Sequence, residues 1–175
     1  GFILDSADLG KGPLVSFDVT MQGMNVRSVP TAYVSGSTTF YAIAVDGAWV
    51  ACPGGTGNGA ALMGFAIAPS LPLKPSVAWC AAYSLVPKGS DEGMRWGAPA
   101  APGLISTTTD GASDALVWYM DGGNQLVALD GATGTTVFRD AAASCGAVRK
   151  WTSPIAVGGH IVVAADGKLC SWSPH

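Results

Sequence analysis

Charged residues and histidines are scarce in this sequence. Only 12% of the 175 residues are Asp, Glu, Lys or Arg, and the net charge is −3. This balance argues against the basic surface with which proteins neutralise phosphates, so we expect no nucleic-acid partner. The four cysteines contain no Cys-x-x-Cys or Cys-x-x-Cys-His pattern, which argues against a zinc site and against covalently attached haem.

Long apolar runs and helical periodicity are missing as well. No segment approaches the roughly 18–20 consecutive apolar residues of a membrane-spanning helix, so we expect no transmembrane segment. No window repeats apolar residues with the spacing of an amphipathic helix, whereas 24 glycines and 11 prolines interrupt the chain throughout. The sequence therefore predicts an all-β protein.

The clearest local pattern lies in residues 115–138, ALVWYMDGGNQLVALDGATGTTVF. Alternating apolar and aromatic residues from Leu116 to Met120 are typical of a strand. The Gly-Gly-Asn at 122–124 permits a tight reversal into a second strand. Asp130 can accept hydrogen bonds from the amides of the turn that follows, which reverses the chain into a third strand.

The same order of strands and turns recurs elsewhere. Residues 151–172 contain a Ser-Pro entry, a Gly-Gly turn and an Asp-Gly turn between three apolar strands. Residues 30–80 repeat the order with insertions, and Pro30, Pro99 and Pro154 mark the entries to three units. Such recurrence predicts a repeat architecture.

Residues 128–138, ALDGATGTTVF, resemble the repeat of the PQQ-like β-propeller family, whose pattern is Ala-x-Asp-x-x-Thr-Gly-x-x-x-Trp. The opening segment, GFILDSADLG, is similar to the inner-blade segment LLD-x-x-x-LGG of bacterial members. The resemblance implies a partial β-propeller of about three to four blades, each a four-stranded antiparallel sheet.

We expect one propeller segment over residues 1–175. It divides into a partial blade at 1–27, a blade at 28–94, a blade at 95–145 and a closing partial blade at 146–175. Both terminal units lack strands, and propellers close by pairing strands across their ends, because open edges promote aggregation. We therefore expect a processed fragment and a companion chain that carries the N-terminal part of the propeller.

The four cysteines are Cys52, Cys80, Cys145 and Cys170. Two disulfides among them allow three pairings. Their order within the repeat units favours Cys52 with Cys80 and Cys145 with Cys170. Disulfides are typical of exported proteins, which predicts a periplasmic, cell-surface or secreted location. Four buried free thiols in a cytosolic protein are the alternative.

No catalytic residue and no metal ligand is identified. Local capping explains the aspartates at turn positions, which are Asp46, Asp110, Asp130 and Asp166. The acidic pair Asp91 and Glu92 lies in a polar loop and is a poor calcium site. His160 follows a Gly-Gly turn, and His175 has no partner in the sequence.

Two other sets of residues have a structural interpretation. The loop at 54–59, GGTGNG, lacks the strand, helix or Lys-Ser context that phosphate binding requires. The six tryptophans are expected to pack between blades. They are Trp49, Trp79, Trp96, Trp118, Trp151 and Trp172.

Two functions follow from the resemblance. The first is a non-catalytic scaffold or interaction module in an exported protein assembly, similar to outer-membrane assembly lipoproteins of this fold. The second is the C-terminal part of a PQQ-dependent quinoprotein dehydrogenase for an alcohol or a polymer of alcohols. Such enzymes hold PQQ above a calcium ion with Glu, Asn and Asp ligands and commonly carry a disulfide between adjacent cysteines. This chain has neither an evident ligand set nor adjacent cysteines, which favours the first function.

Overall fold

The computed structural model describes residues 1–19, 28–45, 52–53, 61–82, 103–141, 144–148 and 152–173. This part of the chain forms thirteen β-strands and a single turn of 3₁₀ helix, Leu9–Lys11. Every strand pair in it is antiparallel. The predicted all-β class is confirmed. Nothing helical in these ranges has the length and apolar character needed to cross a membrane.

The strands form four sheets, numbered here in chain order, and within each sheet neighbours in sequence are neighbours in space. The first sheet contains β1 (Phe2–Leu4) and β2 (Pro13–Ser16). The second contains β3 (Thr31–Ser35), β4 (Thr38–Val45), β5 (Ala61–Ile67) and β6 (Pro75–Ala82). The third contains β7 (Ile105–Thr107), β8 (Leu116–Met120), β9 (Leu126–Asp130) and β10 (Thr136–Arg139). The fourth contains β11 (Ile155–Val157), β12 (His160–Ala165) and β13 (Lys168–Trp172).

The second sheet is covered on both faces. Because side chains alternate along a strand, neighbouring residues of β4 enter different cores. Ala42 and Ala44 pack toward the third sheet, whereas Ile43 and Val45 lie in a separate core with Met63. Apolar residues at consecutive positions of β4 therefore reflect burial on two sides.

The third sheet is also packed on both faces. Val117 and Tyr119 of β8 belong to the core shared with the second sheet. Trp118 and Met120 belong to the core shared with the fourth sheet, which contributes Ile161 among others. The second, third and fourth sheets thus stack face to face in chain order.

The first strands of these three sheets lie next to each other. The Leu104 amide, just before β7, donates to the Val29 carbonyl, just before β3, at 3.1 Å. The hydroxyls of Thr31 and Ser106 are 2.9 Å apart. β7 in turn contacts β11. Successive sheets are therefore joined along their first strands as well as through their faces.

Two disulfides tie connecting segments to strands. Cys52 bonds to Cys80 of β6, and Cys145 bonds to Cys170 of β13, each with the Cα atoms 5.7 Å apart. The structure thus contains the pairing favoured by the order of the cysteines along the chain. Disulfides persist in oxidising compartments, so the pairs agree with an exported protein.

Replacing Cys145 and Cys170 together by Ser should destabilise the protein. The bond links residues 25 apart in sequence, and its loss should lower the free energy of unfolding by roughly 3 kcal/mol, because the unfolded chain gains freedom. Urea denaturation without reductant measures the loss. The matched variant is Cys52→Ser with Cys80→Ser, whose residues are 28 apart and which should lose a similar amount. Unchanged stability in the Cys145 and Cys170 variant would contradict this account.

Candidate functional site

The turn between β9 and β10 is held by its own first side chain. One carboxylate oxygen of Asp130 accepts the amides of Ala132 and Thr133 at 3.0 and 2.8 Å and the Thr133 hydroxyl at 2.8 Å. The Gly134 amide donates to the Asp130 carbonyl at 2.8 Å. The expected capping role of Asp130 is confirmed. These bonds leave the carbonyl of Gly131 available to a neighbour.

Two side chains of the second sheet donate to that carbonyl. The Tyr33 hydroxyl is 2.7 Å and the Trp79 indole nitrogen is 2.8 Å from the Gly131 oxygen. Both rings are buried. A carbonyl has two lone pairs, so one oxygen satisfies two buried donors. We call Tyr33, Trp79, Asp130, Gly131 and Gly134 the docking site between the second and third sheets.

Gly134 allows the Trp79 ring to approach the turn. Its φ of +72° lies in the left-handed region that favours glycine. A Cβ at this position would lie 2.7 Å from Cε3 of Trp79. Only glycine combines this backbone conformation with ring contact. Gly134, the glycine of the Thr-Gly pair, therefore has a packing role between the sheets.

Burial raises the pKa of the Tyr33 hydroxyl above its ordinary value. The phenol is neutral in the folded protein and donates its proton to the Gly131 oxygen. Its stabilising contribution is fully present below about pH 10, where the unfolded tyrosine is also neutral, and is lost as the pH rises above that value.

A second buried polar group lies at the turn between β8 and β9. The Asp121 carboxylate accepts the amides of Gly123 and Gln125 at 2.8 and 3.1 Å and forms an ion pair with Arg139. Arg139 also donates to the Gln125 side chain at 3.0 Å. This network joins the turn between β8 and β9 to β10, so its charged groups stabilise the third sheet.

The remaining predicted candidates lie apart. The exposed Asp110 accepts the amides of Ala112 and Ser113, which lower the pKa of its carboxyl. His160, at the start of β12, has its Nδ1 atom 2.9 Å from the exposed Ser173 hydroxyl. Among the described residues, no three His, Cys, Asp or Glu side chains converge as a metal site would require.

Other sequence candidates lie outside the described residues. They are Asp46, Asp91, Glu92, Pro99, His175, the whole loop at 54–59, and Trp49, Trp96 and Trp151. The other three tryptophans, Trp79, Trp118 and Trp172, pack between sheets as predicted.

The sequence did not indicate Tyr33 as part of the docking site. Its partner Gly131 lies 98 residues further along the chain. The alternation of residues in a strand indicates the face on which a side chain lies but not the residue that it contacts. A signal was present at Gly131 and Gly134, because a glycine-rich turn can accept a close neighbour.

Two sheet faces present apolar side chains to solvent. The first outer face consists of Phe2, Leu4 and Leu14 on the first sheet, and the fourth outer face consists of Ile155, Val157 and Leu169 on the fourth sheet. Exposed apolar groups of this kind are typical of surfaces that bind other proteins. The sequence matches no protein-family model and none of the curated proteins.

Replacing Gly134 by Ala should lower the unfolding free energy of the protein by more than the strain of a side chain at positive φ would account for. Gly167→Ala is the matched control, because Gly167 has a φ of +74° and open space at the Cβ position. The control should lose about 1–2 kcal/mol of unfolding free energy, and Gly134→Ala should lose about 1–3 kcal/mol more through displacement of Trp79. Urea denaturation compares them. Equal losses would show that the ring contact contributes nothing.

The stability deficit of Tyr33→Phe should depend on pH. At pH 8 the variant should lose about 1 kcal/mol through the missing hydrogen bond. At pH 11 the unfolded wild-type tyrosine is ionised, which costs the wild type about 1.4 kcal/mol that the variant does not lose. The deficit should therefore vanish or reverse at pH 11. Urea denaturation at both values tests this, and a constant deficit would contradict it.

Proposed function

We propose that this chain is part of a PQQ-like β-propeller that acts as a non-catalytic scaffold or interaction module in an exported protein assembly. The observation that carries the proposal is the docking of Trp79 on the Asp130 turn. Asp130 of the repeat pattern holds the turn whose Gly131 carbonyl accepts the indole hydrogen bond, and Gly134 of the pattern lies against the ring. The motif that suggested the family thus contributes to the packing of the second sheet on the third.

The arrangement of sheets supports a propeller. The second and third sheets are four-stranded meanders, which is the form of a propeller blade. Adjacent first strands and face-to-face packing are what blades placed around an axis require. One sheet lies in each of the four segments proposed from the sequence. We interpret the first and fourth sheets as partial blades.

The use of the carboxylates favours a scaffold over a dehydrogenase. A calcium ion takes six to eight oxygen ligands, several of them from acidic side chains. Asp110, Asp121 and Asp130 instead bind backbone amides of their own turns. The described residues therefore do not fit the calcium and PQQ site of the quinoprotein enzymes.

The two outer faces supply surfaces for interaction. Phe2 is 72% exposed on one and Leu169 is 75% exposed on the other. The opposite face of the fourth sheet packs on the third sheet, and Phe17 and Val19, which follow β2 of the first sheet, pack against the second, so a further sheet at either end would continue the stack. A companion chain carrying the N-terminal part of the propeller would cover both faces. The two disulfides support an exported, oxidising setting for the proposed assembly.

Native mass spectrometry of the protein purified from its source under non-reducing conditions tests the proposal. We expect a second polypeptide, a mass that corresponds to two disulfides, and no quinone or calcium adduct. A quinone-sized adduct together with calcium would instead support the dehydrogenase. A chain found only as a monomer would overturn the interaction module.

A pair of variants locates the contact with the companion. Leu169→Asp, on the fourth outer face, should reduce the assembled fraction, because it places a charge in an apolar interface. Leu71→Asp is the control, because Leu71 is 84% exposed in the connection between β5 and β6. It should assemble as the wild type does. Equal assembly of the two variants would contradict a contact at the fourth outer face.

A further inference from the structure

Residues 144–148, between β10 and β11, bind both the third and the fourth sheets, and we call them the strap. The Val148 amide donates to the side-chain oxygen of Asn124, in the turn between β8 and β9, at 2.9 Å. The Ala147 carbonyl accepts the amide of Asp166, in the turn between β12 and β13, at 3.0 Å. The strap therefore bridges one turn of each sheet.

Polar contact between these two sheets runs through the strap. In the ranges that the structure describes, no hydrogen bond joins a strand or turn of the third sheet directly to one of the fourth. The second and third sheets differ, because Tyr33 and Trp79 donate to Gly131 and the Gly36 amide donates to the Ala112 carbonyl at 2.9 Å. The fourth sheet is thus held by the strap and by apolar packing.

The disulfide of the strap fixes one edge of the fourth sheet. β11 and β13 are the two edge strands, and β11 contacts β7 of the third sheet. Cys145 follows shortly after β10 ends at Arg139, so its bond to Cys170 ties β13 to the third sheet through a short stretch of chain. Without that bond, the covalent connection from the third sheet reaches β11 first and β13 last.

The apolar contact of the fourth sheet involves one face. Ile161 and Val163 of β12 are buried in the core with Trp118 and Met120, and Trp172 of β13 packs against the same core. The second and third sheets each contribute to two cores. Separation of the fourth sheet therefore breaks one core, and segments with few buried contacts open most readily.

We propose that the strap is a redox-sensitive device that holds the fourth sheet on the third. Reduction of the bond between Cys145 and Cys170 lets the β13 edge separate, which uncovers Trp118 and Met120, while the second and third sheets stay packed. The partner is a dithiol, such as the active site of a thiol–disulfide oxidoreductase. The release requires no companion chain, so it goes beyond the scaffold function.

The reaction is a thiol–disulfide exchange. Cys145 is fully buried and Cys170 is partly exposed, so a thiolate of the dithiol bonds to Sγ of Cys170 and the bond between the two cysteines breaks. Cys145 leaves as a thiolate. The second thiol of the reagent then displaces Cys170, and the reagent leaves as its own disulfide. Its two electrons and two protons end on the two cysteines.

Hydrogen exchange of a pair of variants tests the strap. Cys145→Ser with Cys170→Ser is compared with Cys52→Ser with Cys80→Ser, since each removes one disulfide, between residues 25 and 28 apart. In the first variant exchange at β12 should rise about a hundredfold, as expected for a loop of this length. In the control it should stay within about threefold of wild type, because the fourth sheet opens without the second.

The slowest amides of β4 provide an internal reference. They report global unfolding and should exchange faster in both variants, since either disulfide restrains the unfolded chain. If β12 exchanged only by global unfolding, it would respond equally to the two pairs of substitutions. The control variant therefore separates local release of the fourth sheet from a general loss of stability.

A second measurement uses the Cys52→Ser with Cys80→Ser chain, which keeps the strap disulfide. Millimolar dithiothreitol should raise exchange at β12 and the fluorescence of a dye that binds exposed apolar surface. Oxidised glutathione should restore both values. This measurement starts from the oxidised strap, so it holds even where the Cys145→Ser with Cys170→Ser variant does not fold.

Several outcomes would overturn the redox-sensitive strap. They are equal acceleration at β12 in the two variants, no acceleration in either, no change on reduction, and a disulfide that millimolar dithiothreitol leaves intact in the folded chain. A second polypeptide found by native mass spectrometry would still support the interaction module in each of these cases.

Discussion

Where the second sheet packs on the third, one backbone oxygen satisfies two buried donors. The Gly131 carbonyl accepts hydrogen bonds from both Tyr33 and Trp79. Each of these rings would otherwise bury a polar hydrogen without a partner, which costs about 1–3 kcal/mol per group. Asp130 holds the turn in the conformation that presents this oxygen, and Gly134 leaves room for the Trp79 ring. The five-residue connection between β9 and β10 thereby provides a hydrogen-bonded contact between two four-stranded sheets.

This constraint explains the uneven distribution of exposed apolar groups. Between docked sheets, side chains such as Leu62 and Val127 are fully buried. On the first and fourth sheets the same alternation of side chains leaves Phe2 and Leu169 exposed, because one face of each sheet has no neighbour in the described part of the chain. The proposed scaffold and the proposed interaction module would use the same property, because the exposed faces carry apolar side chains like those that pack between sheets within the chain.

The aspartates at the turns also have structural roles. Asp110, Asp121 and Asp130 all direct carboxylate oxygens to amides two to four residues ahead. Such short-range bonds hold the turns in their conformation. Asp121 alone also meets a cation from another strand, Arg139, which connects its turn to β10. These acidic side chains thus stabilise the sheets that the proposed scaffold is built from.

The sequence by itself determined the strands and turns. Alternation over 116–120, glycine turns and the capping of Asp130 depend on residues close together in the chain, so they were predictable and the structure contains them. The all-β class followed for the same reason. Two disulfides were expected with three pairings possible, and only the fold brought the Cα atoms of each pair to 5.7 Å. The partnership of Tyr33 with Gly131 and that of Val148 with Asn124 were decided by the tertiary structure alone. Strand faces that look alike in sequence pack against different residues in the fold. Which residues a side chain contacts depends on segments tens of positions away in the chain.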